Sequence, residues 1–202
     1  MRILAPLLTA AIGLALACGP ASDDRYRDRL FPLVPGAIWD YRTNDATGAP
    51  GARTVRVLGR EGGYLVLETR ENGVVSQTWL EETPLVLAVR EVQQGPGERS
   101  QELRYEPGAL RALSGADLRA GQVFERSWIR ARDGLREPVS ARWTIEAVGV
   151  TVRGDAGIFE EAVRIRRTQS DGGDTVLWYA PGVGLVRSEG DEQLELVHWA
   201  LP

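Results

Sequence analysis

His198 is the only histidine in the chain and Cys18 the only cysteine. One imidazole cannot build a metal site that needs two or three histidines. One thiol cannot close an intramolecular disulfide, and a Cys–His nucleophile pair is not expected. All 24 basic residues are arginine. The lack of lysine removes Schiff-base chemistry, a pyridoxal-phosphate anchor and a phosphate-loop lysine together. His198 lies in Leu196-Val197-His198-Trp199, and a lone histidine on such a terminal strand is expected to be a hydrogen-bonded structural residue. Glu81-Glu82 and Glu160-Glu161 are adjacent carboxylates, which a strand turns to opposite faces, so neither pair makes a glycosidase site by itself. Asp171 and Asp174 frame Gly172-Gly173, too few oxygen ligands for a calcium loop, and they read as turn formers.

The arginines allow two readings. Arg126, Arg130 and Arg132 share one side of a presumed strand, and Arg142, Arg164 and Arg166 could lie beside them as a stripe for phosphate or carboxylate. Glu137, Glu146 and Glu160 are interleaved with them, which favours cross-strand ion pairs on a solvated sheet face. No catalytic residue, metal ligand or cofactor is nominated. The expectation is a non-enzymatic protein, with a carboxylate-dependent hydrolase as the remote alternative. At 43% hydrophobic and 26% charged, the 202 residues have globular composition, and the net charge of -4 argues against a nucleic-acid partner.

The elements that would position these side chains are strands. Arg142-Trp143-Thr144-Ile145-Glu146-Ala147-Val148 alternates polar and apolar, and Phe159–Arg166 does so with one breach at Glu161. Asn72-Gly73 signals a type I′ hairpin turn, and Asp133-Gly134 does similar work. Pro-Gly pairs at 35–36, 50–51, 96–97, 107–108 and 181–182 suggest further turns. Connections this short make neighbouring strands antiparallel. The predicted fold is all-β: one curled antiparallel meander of about ten to thirteen strands, half-barrel or barrel-like. The few short helices would be Asp24–Leu30 and Gly115–Ala120. Trp39, Trp79, Trp128, Trp143 and Trp178 fall inside strand-like runs and are expected to fill the interior, or else to line an apolar cavity.

Residues 1–17 read as a signal peptide: Met1-Arg2 is a short positive start, and Ile3–Ala17 is uncharged but shorter than the roughly 20 residues that span a bilayer. The run ends Leu14-Ala15-Leu16-Ala17-Cys18-Gly19. Ala17-Cys18 resembles the end of a bacterial lipobox, although Ala15 stands where leucine is usual and Leu14 comes one place early. Ala15-Leu16-Ala17 also suits an ordinary signal-peptidase site cutting the same bond. The resemblance implies a lipidated Cys18, a membrane partner through that anchor, and a polar tether over residues 18–30 before a β domain at 31–202. Gly19 after the cysteine resembles lipoproteins sorted to the outer membrane, which implies its periplasmic face.

Phe31-Pro32-Leu33-Val34-Pro35-Gly36-Ala37-Ile38-Trp39-Asp40-Tyr41 and Trp178-Tyr179-Ala180-Pro181-Gly182-Val183-Gly184-Leu185-Val186 resemble the two ends of uncharacterised bacterial lipoprotein domains with a curled antiparallel sheet. The implied role is an envelope-anchored binding or structural domain that meets an envelope protein, a cell-wall polymer or an apolar ligand. The alternative is a carrier of lipid or lipoprotein acyl chains that resembles the lipoprotein-localisation factors, although the chain lacks their helical lid segments. A filled interior favours a structural domain, an apolar cavity of several hundred Å3 favours the carrier, and converging carboxylates favour an enzyme.

Overall fold

The computed structural model describes residues 29–44, 48–113, 115 and 117–202. Cys18 and most of the Asp24–Leu30 segment lie outside the described residues. Alternation and tight turns build twelve strands. These are β1 (Ile38–Asn44), β2 (Pro50–Glu61), β3 (Tyr64–Glu71), β4 (Val74–Glu82), β5 (Leu85–Gln94) and β6 (Gln101–Leu113), then β7 (Val123–Arg132), β8 (Leu135–Gly154), β9 (Gly157–Gln169), β10 (Asp174–Ala180), β11 (Gly184–Gly190) and β12 (Gln193–Ala200). Each pairs antiparallel with its sequence neighbours, and β1 also pairs with β12, so the all-β meander closes into a barrel.

Asn72 and Gly73 both have positive φ, at 49° and 80°, as do Asp133 and Gly134 at 51° and 80°, the signature of type I′ turns. The breach at Glu161 is a bulge: φ is 57° there, and the β8–β9 register shifts between Val150 and Val152. Both Glu160 and Glu161 are consequently exposed rather than on opposite faces.

Two expectations are corrected. No helix occurs among the described residues, and Gly115 instead forms an isolated bridge with Arg29. A few polar residues between two strands cannot sustain a helix without an apolar stripe to bury. Pro50-Gly51 and Pro107-Gly108 are not turns: the first pair opens β2 opposite Asn44 and Thr43, and the second lies within β6, where the register with β5 shifts between Ala88 and Arg90. The fold also takes in residues ahead of Phe31, since Leu30 is fully buried and the Arg29 carbonyl accepts from the Gly182 amide at 2.8 Å.

The outer face carries the charge. Arg130 pairs with Glu137 and Asp171, Arg142 with Glu125, and both Arg164 and Arg166 with Glu146. The solvated reading of the arginine stripe therefore describes the wall. Arg126 departs from it, donating to the Gly108 carbonyl at 2.9 Å. A charged outside and an apolar inside reverse the pattern of a membrane-spanning barrel, whose lipid face is apolar.

The wall has two weak seams. β6 and β7 pair only at Arg104–Ala131, Tyr105–Arg130 and Glu106–Ile129, and β11 and β12 only at Arg187–Glu195 and Ser188–Leu194. β11 keeps a long ladder with β10, and on its β12 side it is held further by side chains of β1: Trp39 Nε1 donates to the carbonyl of Val183, just ahead of β11, at 2.6 Å, and the Tyr41 hydroxyl to the Leu185 carbonyl at 3.0 Å. Amides of Val123–Trp128 that face β6 are expected to exchange with solvent about tenfold or more faster than those in the β8–β9 ladder around Trp143. Equal protection in a hydrogen-exchange measurement would contradict the seam.

Candidate functional site

Barrel width explains the site. Side chains just fill a barrel of about eight strands, and about sixteen leave a channel, so twelve leave more room than a core needs. Here the room is divided unevenly. Trp128, Val139, Trp143, Ile145, Val163 and Ile165 are buried along β7–β9. A cavity of about 500 Å3 opens beside them, bounded mainly by β1–β5 and β10–β12.

One end of the cavity is apolar and plugged. Phe31, ahead of β1, lines it and packs on Trp39 at 5.0 Å between ring centroids and on Tyr179 at 6.1 Å. A side chain at Gly184 would bring its Cβ within 2.6 Å of the Phe31 ring at a φ of 112°, so the plug requires glycine there. Val55, Leu67, Leu80, Val86, Leu177 and Leu194 continue the apolar lining. Burial pushes the Tyr41 hydroxyl well above its ordinary pKa, with Tyr179 adding to the effect, and burial likewise raises Tyr179. Both stay neutral.

The opposite end is charged, and its groups fall into two clusters. In the first, Arg53 donates from Nε and Nη2 to Glu71, at 2.9 and 2.6 Å, and from Nη1 to Glu192. Arg167 donates to the Thr175 hydroxyl at 3.2 Å and lies 3.9 Å from Glu192. In the second, Glu91 accepts from Ser76 at 2.9 Å, Gln93 at 2.6 Å, Tyr105 at 2.8 Å and Arg111 at 2.8 Å. Burial alone would raise the Glu91 pKa, but Arg111 and the neutral donors together hold it below the usual carboxylate range. Burial also pushes the Tyr105 hydroxyl up to about 12. Three arginines and three glutamates therefore leave the rim without net charge, and every carboxylate there has a guanidinium partner.

His198 stands on the outer face, where its Nδ1 lies 3.1 Å from Asp40, which also accepts from the Thr54 hydroxyl at 2.7 Å. It is a surface hydrogen-bonding residue remote from the cavity lining. Glu82 pairs with Arg60 and Arg29 on the wall, and Asp171 and Asp174 hold Arg130 and Arg166. None of these joins the cavity.

The tryptophans divide. Trp39, Trp128, Trp143 and Trp199 join the core, whereas Trp79, itself buried, and the half-buried Trp178 lie under Arg90 and Arg164, with the guanidinium carbons 4.4 and 5.6 Å from the ring centroids. No tryptophan lines the cavity. Sequence reasoning missed the rim groups. Their signal was phase: Arg53 alternates with Val55 and Val57, Glu71 with Leu67 and Thr69, and Arg167 with Ile165 and Val163, all on the apolar side of their strands.

No family model matches the chain, and no curated protein matches it. Two solved structures are similar to it. One is a candidate lipoprotein of Parabacteroides distasonis, 14% identical over 86% of this chain and 99% of that one, with a TM-score of 0.46. The other is a candidate exported protein of Bacteroides fragilis described as having a YmcC-like fold, 16% identical over 86% of this chain and 100% of that one, with a TM-score of 0.48.

Proposed function

We propose that this protein is a bacterial envelope lipoprotein, tethered through an acylated Cys18, whose barrel is a non-catalytic module that holds a small molecule with an apolar body. The half-empty barrel carries this reading. A cavity of about 500 Å3 lies within the range of small-molecule sites, and its Leu, Val and Phe lining would be costly to leave facing water. That observation favours the carrier alternative over a purely structural domain. Each rim carboxylate is engaged by a guanidinium, which supports the non-catalytic reading over a carboxylate-dependent hydrolase. The tether reading rests on residues 1–18, where the uncharged run ends at the only cysteine. Two or more acyl chains would give stable membrane anchoring where one would not.

The test is purification from envelope extracts followed by mass spectrometry of the intact chain and its extractable small molecules. The expected result is an acyl mass on Cys18 and an apolar molecule bound in stoichiometric amount. Leu67→Trp should fill the cavity and lower the bound amount about tenfold while leaving the acyl mass in place. A chain that carries no small molecule, or a Leu67→Trp variant that retains the wild-type content, would refute the cavity reading. An unmodified Cys18 would refute the tether.

A further inference from the structure

Resting on that reading of the cavity, we propose that its ligand is an anionic amphiphile, with the tail among the apolar residues and a carboxylate or phosphate head held at the rim by Arg111 and Arg167. The donor inventory leads there. A guanidinium offers five N–H donors on three nitrogens, and a carboxylate about four acceptor positions. Arg53 uses all three of its nitrogens on Glu71 and Glu192. Glu91 accepts four hydrogen bonds and has none left to accept. Among the described residues Arg111 donates only from Nη2, to Glu91 and to the Tyr105 hydroxyl at 3.0 Å. Arg167 likewise donates only from Nη2. Each keeps Nε and Nη1 for another acceptor, and both side chains line the cavity.

Glu71 accepts only on Oε2 and Glu192 only on Oε1 among the described residues, but the N–H donors left on the three arginines outnumber the acceptor positions left on those two carboxylates. Arg111 and Arg167 are braced for the task. Arg111 lies over the Tyr105 ring, with its guanidinium carbon 5.3 Å from the centroid, and is fastened to a carboxylate already below its ordinary pKa. Arg167 is fastened through Thr175 beside Glu192. These contacts reduce the side-chain freedom that is lost when an anion arrives. The planar fork suits the two oxygens of a carboxylate or phosphate. A cationic head would meet a rim whose three carboxylates are already engaged by guanidinium groups. A neutral head would leave the free donors without charge-assisted partners.

The exported chain carrying Cys18→Ser, free of an acyl anchor and studied without detergent, is the protein to test. Calorimetric titration would compare dodecanoate, dodecyl phosphate, dodecanol and dodecylammonium below their micellar concentrations. The expected result is that at least one anionic probe binds about tenfold or more tightly than dodecanol. Arg111→Gln and Arg167→Gln should each erase most of the ratio between anionic-probe and dodecanol affinity. Circular dichroism and thermal unfolding of each variant report separately whether the fold survives the substitution. A preference for dodecanoate assigns a free fatty acid type of head, and one for dodecyl phosphate a phosphate-bearing lipid head. Equal affinity for all four probes, tighter binding of dodecylammonium, or an anion preference untouched by both variants would overturn the head-group assignment and leave the cavity reading intact. Failure of every probe to bind would overturn both.

Discussion

Trp143→Ala is expected to destabilise the barrel by about 3–5 kcal/mol, the cost of deleting a large buried aromatic from a core that cannot close over the gap. Trp143 has no exposed surface, and it stands on β8 between the bulged β9 and the long β7 ladder. Its neighbours already border an open cavity, so the lost volume would join that space rather than collapse. For a chain of this length a loss of that size lowers Tm by roughly 10 °C. Trp143→Phe is the informative companion. The indole Nε1 of Trp143 is buried and has no hydrogen-bond partner, so phenylalanine removes an unsatisfied donor along with some contact area. Thermal unfolding should place the phenylalanine variant within about 1.5 kcal/mol of wild type. Equal losses for both variants would show that a phenyl ring cannot replace the indole in this part of the core and would overturn the expected tolerance.

Glu91→Ala is expected to cost about 2–3 kcal/mol, because it strips four donors of one shared acceptor at a nearly closed site. The figure is below that for breaking a fully buried ion pair, since Arg111 is 42% exposed and can turn to water. The loss should depend on pH in one direction. The folded chain holds Glu91 below its ordinary pKa of 4.5, so the ionised group stabilises the fold fully above about that pH. The contribution fades as pH falls from there through the depressed folded value. Denaturant unfolding of wild type and Glu91→Gln should therefore differ most near neutrality and converge in acid. A gap that stayed constant down to pH 2 would show that Glu91 is not held ionised by Arg111. Tyr105 works at the other extreme: its hydroxyl, raised to about 12, favours the neutral fold, so wild type loses stability as pH climbs from about 10 toward 12.

Much of the architecture is local and was legible for that reason. The Asn72-Gly73 turn and the polar–apolar rhythm from Arg142 to Ile145 each involve a few neighbouring residues and became the features their patterns indicated, whereas the rhythm is lost after Ile145, where the β8–β9 register shifts. Pro107-Gly108 misled because the same two residues serve a turn or a bulge, and only the β5 partner strand decides which. Closure was undetermined because it depends on Ile38 meeting Ala200, a contact between the chain's far ends that no local pattern encodes. The rim escaped notice for a related reason. Charged residues in a strand are read as outward, yet Arg53, Glu91 and Arg167 point inward and become affordable only when strands distant in sequence bring them opposite charges. The tryptophans show the converse, since Arg90 and Arg164 let Trp79 and Trp178 sit on the outside beneath a charged cover.

The two seams divide the molecule as the spine and fore-edge divide a book: strands β7–β11 form one cover, and β12 with β1–β6 the other. The ligand space lies largely between the pages, with Arg167, Leu177 and Tyr179 on one cover and Tyr41, Val55 and Glu91 on the other. Parting the covers would leave every long ladder whole, but it would break the Trp39 and Tyr41 bonds to Val183 and Leu185, separate Phe31 from Tyr179 and wet the apolar core that both covers share. The pages are held shut by what is pressed between them more than by the stitching.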